Sequence, residues 1–282
     1  MEPLSLLVLL VMGVVAGAIN AAVGSGSLLS LPVLLAVGLP PGVAVRTNTV
    51  GMFFSTVGSV LGYRREIAEE RRHLTPLVLT ALLGASAGAL LLLTSPAEAL
   101  DVVVPVLIVV ALALVVLQKP LTTALRSRPE KRAGHRAAAD GAGTEKATDA
   151  GASADGSERS QLRSPALVGS IGAASVYGGY FTAAQGVLYL GILGVFTGRP
   201  MGSVNSVKNL LSLCVNLAAA LIYSIAFFVV DAQVVWAASA AIAVGSLLGG
   251  FFGAHLAKRL PEWALRGVIV VVALAALLRE VL

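Results

Sequence analysis

The sequence predicts an all-α integral membrane protein that is built as two homologous halves. Of the 282 residues, 57% are apolar and only 12% are charged, whereas about 25% of the residues in a soluble domain are charged. The mean hydropathy is accordingly high, at +0.88. The second observation is an internal repeat, because residues 24–63 align with residues 184–223 without a gap. Identical residues in this alignment are Gly26 and Gly186, Gly38 and Gly198, Pro40 and Pro200, and Tyr63 and Tyr223.

About eight full transmembrane helices are predicted, since eight apolar stretches approach or exceed the roughly 20 residues that a bilayer crossing requires. They are residues 4–23, 42–62, 74–94, 101–117, 166–183, 203–230, 232–256 and 262–279. The N-terminus has no basic residue ahead of the first stretch, so we expect a retained span rather than a cleaved signal peptide. Two shorter apolar stretches, 27–38 and 186–197, predict broken or re-entrant helices at matching places in the two halves.

The chain is expected to comprise an N-terminal transmembrane repeat, residues 1–118, and a C-terminal transmembrane repeat, residues 164–282. Between them, residues 119–163 contain nine basic residues, six acidic residues and many small ones. A segment with so little apolar surface to bury is expected to be a disordered cytoplasmic linker. A solvated tether is the favoured interpretation of this segment, and a regulatory or partner-binding role is the alternative.

The basic residues predict how the halves lie in the membrane, because cytoplasmic loops are enriched in lysine and arginine. Residues 63–73 carry four arginines and should face the cytoplasm, as should the linker. If the short helices dip in and return on the same side, the halves are parallel repeats. If each short helix completes a crossing, the halves are inverted repeats, and Arg199, Lys258 and Arg259 all lie on the cytoplasmic side. The charges therefore favour inverted repeats.

The first candidate site is the pair of small-residue breaks that precede the short helices. Small residues let a helix unwind, and the new helix that follows presents unpaired N–H groups with partial positive charge, which suit an anion. Broken backbone at membrane depth must be buried in protein or line a wet cavity. The alternative is that the small residues only allow close helix packing. The candidate binding residues of the two breaks are Ser25, Gly26, Ser27, Gln185 and Gly186.

The second candidate site is the polar beginning of the long helix that follows each short one. Lys208 and Asn48 occupy equivalent positions in the repeat, and a lysine inside a bilayer costs about 2.5–3.5 kcal/mol on insertion scales. Such a cost predicts an internal partner or an anionic substrate. Arg46 has an alternative interpretation as a side chain that snorkels to the interface, and Asn216 as a hydrogen bond between helices. The candidate binding residues here are Arg46, Thr47, Asn48, Asn205, Lys208 and Asn216.

Several other functional classes are disfavoured by the interior polar residues. No aspartate or glutamate lies in the middle of an apolar stretch, so a metal or a large organic cation is not expected as substrate. His255 is the only histidine within a predicted span, and it lies near the end of that span, which disfavours an intramembrane serine hydrolase. The chain lacks a P-loop motif for ATP and has a single cysteine, Cys214. We therefore expect no enzymatic activity, no metal site and no cofactor. The net charge of +5 is interpreted as basic cytoplasmic loops rather than nucleic-acid binding.

The chain resembles the sulfite exporter TauE/SafE family of membrane transporters over nearly its whole length except the linker. In the first half the resemblance is carried by GAINAAVGSGSLLSLPVLLAVGLPPGVAVRTN. In the second half it is carried by VYGGYFTAAQGVLYLGILG and by VKNLLSLCVNLAAALIYSIAFFVVDAQVVWAASAAIAVGSLLGGFFGAHLAKRL. The resemblance implies duplicated four-helix units, and transport of sulfite, sulfonates or related small anions. It implies substrate contacts at Ser25–Ser27, Thr47–Asn48, Gln185 and Lys208.

The leading hypothesis is a secondary transporter, and an exporter by the resemblance, of a small anion such as sulfite or an organosulfonate. The anion is expected between the two broken-helix N-termini near the membrane midplane, with Arg46 and Lys208 offsetting its charge. An uptake transporter or channel for another small anion or metabolite is one alternative, and a non-transporting membrane scaffold is another. The expected partners are the anion and the lipid bilayer of the plasma membrane. A homodimer is left open, and nucleic acid is not expected.

Overall fold

A computed structural model of the protein describes residues 3–70, 74–117, 164–197 and 201–256. These residues are helical apart from short connections, and no strand occurs among them. The predicted linker 119–163 and the predicted span 262–279 lie outside the described residues. The described helices are α1 (Pro3–Ala22), α2 (Ser27–Ala36), α3 (Pro41–Gly62), α4 (Arg64–Glu70), α5 (Thr75–Thr94), α6 (Ala97–Leu117), α7 (Pro165–Tyr180), α8 (Gln185–Thr197), α9 (Met201–Val229) and α10 (Trp236–Leu256).

Within the described ranges, five helices are long and apolar enough to cross a membrane: α1, α5, α6, α9 and α10. Each coincides with one of the eight predicted spans. The predicted span 42–62 corresponds to α3, which has 22 residues. Its second turn contains the polar residues Arg46, Thr47 and Asn48. The predicted span 166–183 corresponds to α7, which has only 16 residues. The two predicted short helices correspond to α2 and α8, of 10 and 13 residues.

Three predicted boundaries differ from the structure, and each difference has a local cause. Helix α7 ends at Tyr180 because Phe181 is in extended backbone and a turn follows at residues 183 and 184. Helix α10 begins at Trp236 because the residues just before it form the connection from α9. Helix α6 begins at Ala97, ahead of Asp101, because an exposed carboxylate is accepted in the first turns of a helix, where the dipole favours negative charge.

The first short helix has well-defined ends. Gly38 terminates α2 in the left-handed conformation, with φ of +94°. Its amide donates to the Leu35 carbonyl at 2.8 Å, and the Leu39 amide donates to the Leu34 carbonyl at 3.2 Å. This pair of bonds is a Schellman motif, which satisfies carbonyls that the helix itself leaves free. Pro41 then begins α3, where a proline fits because the first helical position needs no N–H donor.

Helices α1, α3 and α10 pack together and run in the same direction. Gly13 of α1 lies against Ile242 of α10, and further along both helices Ala18 lies against Gly253. Helix α3 follows the same course, since the Ser239 hydroxyl donates to the Thr47 carbonyl at 2.9 Å and Gly62 lies against Ala254. Glycines and other small residues allow the backbones to approach this closely.

The equivalent helices of the other half repeat this arrangement. Helix α5 runs beside α7 in the same direction, because Thr80 lies against Gly172 and Gly88 lies against Val176. Repeat equivalence pairs α1 with α7 and α5 with α10, so the two interfaces are related by the duplication. In both cases a helix of one half packs on a helix of the other.

Helices α3 and α9 face each other in opposite directions. The Asn205 side-chain amide, near the beginning of α9, donates to the Tyr63 hydroxyl just beyond the end of α3 at 2.8 Å. Arg46, near the beginning of α3, donates to the carbonyl of Gln233, four residues beyond the end of α9, at 3.0 Å. Because α3 and α9 are equivalent in the repeat, equivalent residues on them lie towards opposite ends of the molecule.

We expect Gly249→Ala to destabilise the protein, because the added methyl group would overlap the Val14 carbonyl oxygen at the interface of α1 and α10. Overpacking of this kind costs about 1–3 kcal/mol. Gly191→Ala is the matched control, since nothing lies within 4 Å of the position that its methyl group would occupy. That change should leave stability unaltered or raise it by up to about 1 kcal/mol through helix propensity. Thermal unfolding in one detergent measures both, and equal melting temperatures would contradict the close interface.

Candidate functional site

The two predicted breaks meet each other inside the protein. The backbone amide of Gly186, at the beginning of α8, donates to the carbonyl of Gly24, in the break between α1 and α2, at 3.1 Å. The approach is so close that a methyl group added to either glycine would overlap the backbone of the other. Elements that are 160 residues apart in sequence therefore form one junction, which we call the break junction.

Equivalent residues give both breaks the same backbone bend. Gly24 has φ of +81° and Ala184, its counterpart in the repeat, has φ of +59°. The left-handed conformation is open to glycine without penalty but is uncommon for alanine. The repeat therefore preserves a backbone geometry even where the residue type differs.

Lys208 is the charged group at the break junction. Its side chain is fully buried, and its aliphatic part borders Gly24. The ammonium group donates to the carbonyls of Asn20 at 3.0 Å and Ala21 at 3.2 Å. These carbonyls belong to the last turn of α1, where a helix leaves acceptors free and its dipole favours positive charge. A lysine ammonium has three N–H donors, so one is left beyond these two bonds.

The polar beginning of each long helix contacts the other half at or just before its break. The Asn209 side-chain amide of α9 donates to the Ala21 carbonyl at 3.3 Å. At the equivalent position of α3, the Thr49 hydroxyl lies 3.3 Å from the Thr182 hydroxyl in the second break. Asn48 is held by the Ser30 hydroxyl of α2, which donates to its side-chain oxygen at 2.6 Å.

Six buried side-chain atoms have no hydrogen-bond partner among the described residues. Buried polar atoms in folded proteins are nearly always paired, so a group of unpaired ones needs an explanation. Five of the six belong to residues that the sequence predicted as binding residues, and the sixth belongs to Ser212. The atoms are Ser25 Oγ, Asn48 Nδ2, Gln185 Oε1, Asn205 Oδ1, Ser212 Oγ and Asn216 Oδ1.

Three of the buried polar side chains form a stripe on α9. Lys208, Ser212 and Asn216 follow one another at intervals of four residues and so lie on one face of the helix. With a rise of 1.5 Å per residue, the stripe is about 12 Å long. The Asn216 side-chain amide donates to the Ser212 carbonyl at 2.9 Å, which leaves its side-chain oxygen as the unpaired atom.

Not all the predicted residues lie beside Lys208. The Arg46 guanidinium donates through Nε to the Gln233 carbonyl at 3.0 Å, in the connection from α9 to α10. The Thr47 hydroxyl accepts from the Val235 amide at 3.0 Å in the same connection. Helix α9 ends at Val229, 21 residues or about 31 Å beyond Lys208, and Gln233 follows that end. The structure thus separates Arg46 from the break junction.

Sequence reasoning missed several polar groups that complete these contacts. Thr49 and Asn209 are equivalent in the repeat, so the alignment could have indicated them as a pair. Ser212 follows Lys208 by one helical turn, and that spacing could have revealed it. The carbonyl groups of Asn20 and Ala21 carry no signal in the sequence, because every residue has a carbonyl.

The arrangement around the break junction suits an anion. The ammonium of Lys208, the hydroxyls of Ser25 and Ser212 and the first amides of the short helices are all hydrogen-bond donors. No carboxylate of the described ranges forms an ion pair with Lys208. Within the same ranges, no group of three histidine, cysteine, aspartate or glutamate residues is placed to hold a metal ion.

Comparison with known proteins gives the chain a family. A family model described as Sulfite exporter TauE/SafE matches residues 9–279. The chain is 24% identical over 272 residues to the probable membrane transporter protein YfcA of Escherichia coli strain K12, which covers 96% of this chain and 87% of that protein. It is 31% identical over 112 residues to the probable membrane transporter protein ORF9 of Sinorhizobium sp, covering 40% of this chain and 42% of that protein. No solved structure gives a significant match.

Proposed function

The chain belongs to the sulfite exporter TauE/SafE family of membrane transporters, and on this basis we propose that it is a secondary transporter that exports a small anion such as sulfite or an organosulfonate. It is a multi-pass membrane protein, and we place it in the plasma membrane. It is proposed to act as a carrier without enzymatic activity of its own.

The observation that supports this proposal most directly is Lys208. A buried ammonium that has no carboxylate partner among the described residues is costly in a bilayer unless something compensates for its charge. Two carbonyls at the end of α1 solvate it in part, but a carbonyl carries no net charge. An anionic substrate would supply the missing negative charge at the point where the two breaks meet.

We assign Ser25, Ser212 and Gln185 to the same pocket as Lys208. Ser25 and Ser212 offer hydroxyl donors that have no partner among the described residues. The unpaired side-chain atom of Gln185 is its oxygen, an acceptor, so Gln185 would contribute the backbone amide with which α8 begins. The amides of Ser27 and Gln185 are the first of their helices and have no intrahelical acceptor. Gly26 and Gly186 keep the backbone free of side chains here, although the Gly186 amide is already used by Gly24.

We propose that the two halves are inverted repeats joined by a cytoplasmic linker. The opposite directions of α3 and α9 support this arrangement, because equivalent helices of parallel repeats would run in the same direction. The common direction of α1 and α3 further requires α2 and its flanking residues to carry the chain back between them. The domain boundaries at 1–118, 119–163 and 164–282 belong to this proposal.

Alternating access would then follow from movement about the break junction. The substrate would bind where α2 and α8 begin, and displacement of one helix group against the other would open the pocket to each side in turn. Inverted repeats suit such a cycle because each half can adopt the conformation of the other.

Reconstitution into proteoliposomes tests the proposed function. We expect saturable flux of sulfite or of a sulfonate such as sulfoacetate, with no flux in empty liposomes and none of a neutral analogue. The transported anion should also raise the melting temperature in detergent, because a ligand that binds only the folded state stabilises it. Flux without saturation would indicate a channel. The absence of both flux and stabilisation for every anion tested, including sulfate and thiosulfate, would contradict the proposal and favour a scaffold.

A further inference from the structure

Arg46 is a second cation that the break junction does not use. It lies in the second turn of α3, half-buried, and its Nε donates to the Gln233 carbonyl. A guanidinium has five N–H donors, and in the part of the chain that the structure describes, this bond is the only one that Arg46 makes. No described carboxylate pairs with it. The terminal nitrogens of the guanidinium are therefore available.

The position of Arg46 is fixed although its charge is not paired. The bond through Nε holds the planar group, so the two terminal nitrogens remain as a fork, the geometry with which arginine binds the oxygens of an oxyanion. Gly42, one helical turn earlier, lies on the same side of α3 as the fork, and the Leu100 side chain packs against it.

Arg46 and Lys208 lie towards opposite ends of the molecule. Arg46 precedes Tyr63 by 17 residues, or about 25 Å along α3, and Tyr63 contacts Asn205, one turn before Lys208. Asn48, two residues beyond Arg46 and fully buried, has an unpaired side-chain N–H on a different face of α3. A cation with free donors is thus present at the Arg46 end as well as at the break junction.

We infer that Arg46 forms a second anion subsite, at the mouth of the pathway opposite the basic segment 63–73, where the substrate binds before or after the break junction. This inference rests on the proposed transport function. Arg46 recognises the oxyanion group, the feature that sulfite and sulfonates share. It acts at one side of the membrane only.

The test measures transport from each side separately, in proteoliposomes sorted into one orientation by a tag in the linker. Arg46→Gln should raise KM for sulfite or sulfoacetate presented at the Arg46 side by about tenfold or more, as expected when a charge-assisted hydrogen bond is lost. The KM at the opposite side should stay within about twofold of that of the wild type. Arg46→Lys should recover part of the loss, because it keeps the charge without the fork.

Arg65→Gln is the matched control, since Arg65 is an exposed basic residue of α4 at the other end of α3. It should leave KM at the Arg46 side unchanged. An equal rise in KM at both sides for Arg46→Gln, or no rise at the Arg46 side, would overturn the inference while wild-type flux still upholds the transport function. If the wild-type protein moves no anion, the transport function and this inference fall together.

Discussion

Replacing Lys208 with methionine is expected to reduce anion flux by at least about 100-fold, because charged hydrogen bonds are each worth about 1.5–3 kcal/mol and the substrate would lose its counter-charge as well. Methionine keeps the length of the side chain, which is fully buried beside Gly24. The carbonyl of Ala21 would keep its bond from Asn209. We therefore expect a folded protein that does not transport the anion and whose melting temperature does not rise when the anion is added.

Two control variants separate the charge of Lys208 from its contact with α1. Asn209→Leu removes another donor to the Ala21 carbonyl without changing the charge, so its loss of flux should be much smaller. Lys208→Arg keeps the charge and should retain measurable ligand stabilisation. If Asn209→Leu abolishes flux as completely as Lys208→Met, the role of the lysine is to hold the end of α1. Normal flux in Lys208→Met would remove it from the binding site.

Gly24→Ala is expected to produce the second largest effect. The added methyl group would overlap the Gly186 Cα atom, and alanine disfavours the φ of +81° at this position. Strain and overlap together should cost about 2–4 kcal/mol of stability. The two breaks must also move apart, and a displacement of about 1 Å at a functional site can reduce a rate by about 100-fold. Flux in proteoliposomes and thermal unfolding in detergent measure the two effects.

The repeat provides the matched control for this change. Ala184 has the same role in the second break, with φ of +59°, so Ala184→Gly removes a methyl group from the equivalent backbone conformation. The relief of strain and the added flexibility of glycine in the unfolded chain nearly cancel, so stability should change by less than about 1 kcal/mol. Flux should be close to that of the wild type. Loss of function in Ala184→Gly, or wild-type behaviour of Gly24→Ala, would contradict the close contact at the break junction.

Much of the fold could be predicted because it depends on local pattern and on the repeat. The lengths of the apolar stretches anticipated α1, α5, α6, α9 and α10, and the matched small-residue runs anticipated the beginnings of α2 and α8. The ends of the helices could not be predicted where apolar residues continue beyond the helix in non-helical backbone. Phe181 follows α7 in extended backbone because the chain turns there towards Gly24 of the other half, and a contact of that kind is set by tertiary structure.

In the candidate site, the alignment identifies which residues are equivalent in the repeat but not which residues are neighbours in space. The alignment pairs Lys208 with Asn48 as equivalent residues, but equivalence does not mean that they are neighbours. Since α3 and α9 run in opposite directions, Lys208 lies beside the end of α1 and Asn48 beside Ser30 of α2. The hypothesis that Arg46 and Lys208 offset one charge together used sequence order, which contains no information about helix direction.

The interlocking of the helices has a consequence for the ancestry of the protein. Helix α1 finds its packing partner, α10, in the other half, and α5 finds its partner, α7, there too. A polypeptide that contained only one half would leave both faces uncovered, so it could not be stable as a monomer. If the halves are inverted repeats, as proposed, an ancestor that contained one half would have had to assemble with a second copy of itself, turned upside down relative to the first.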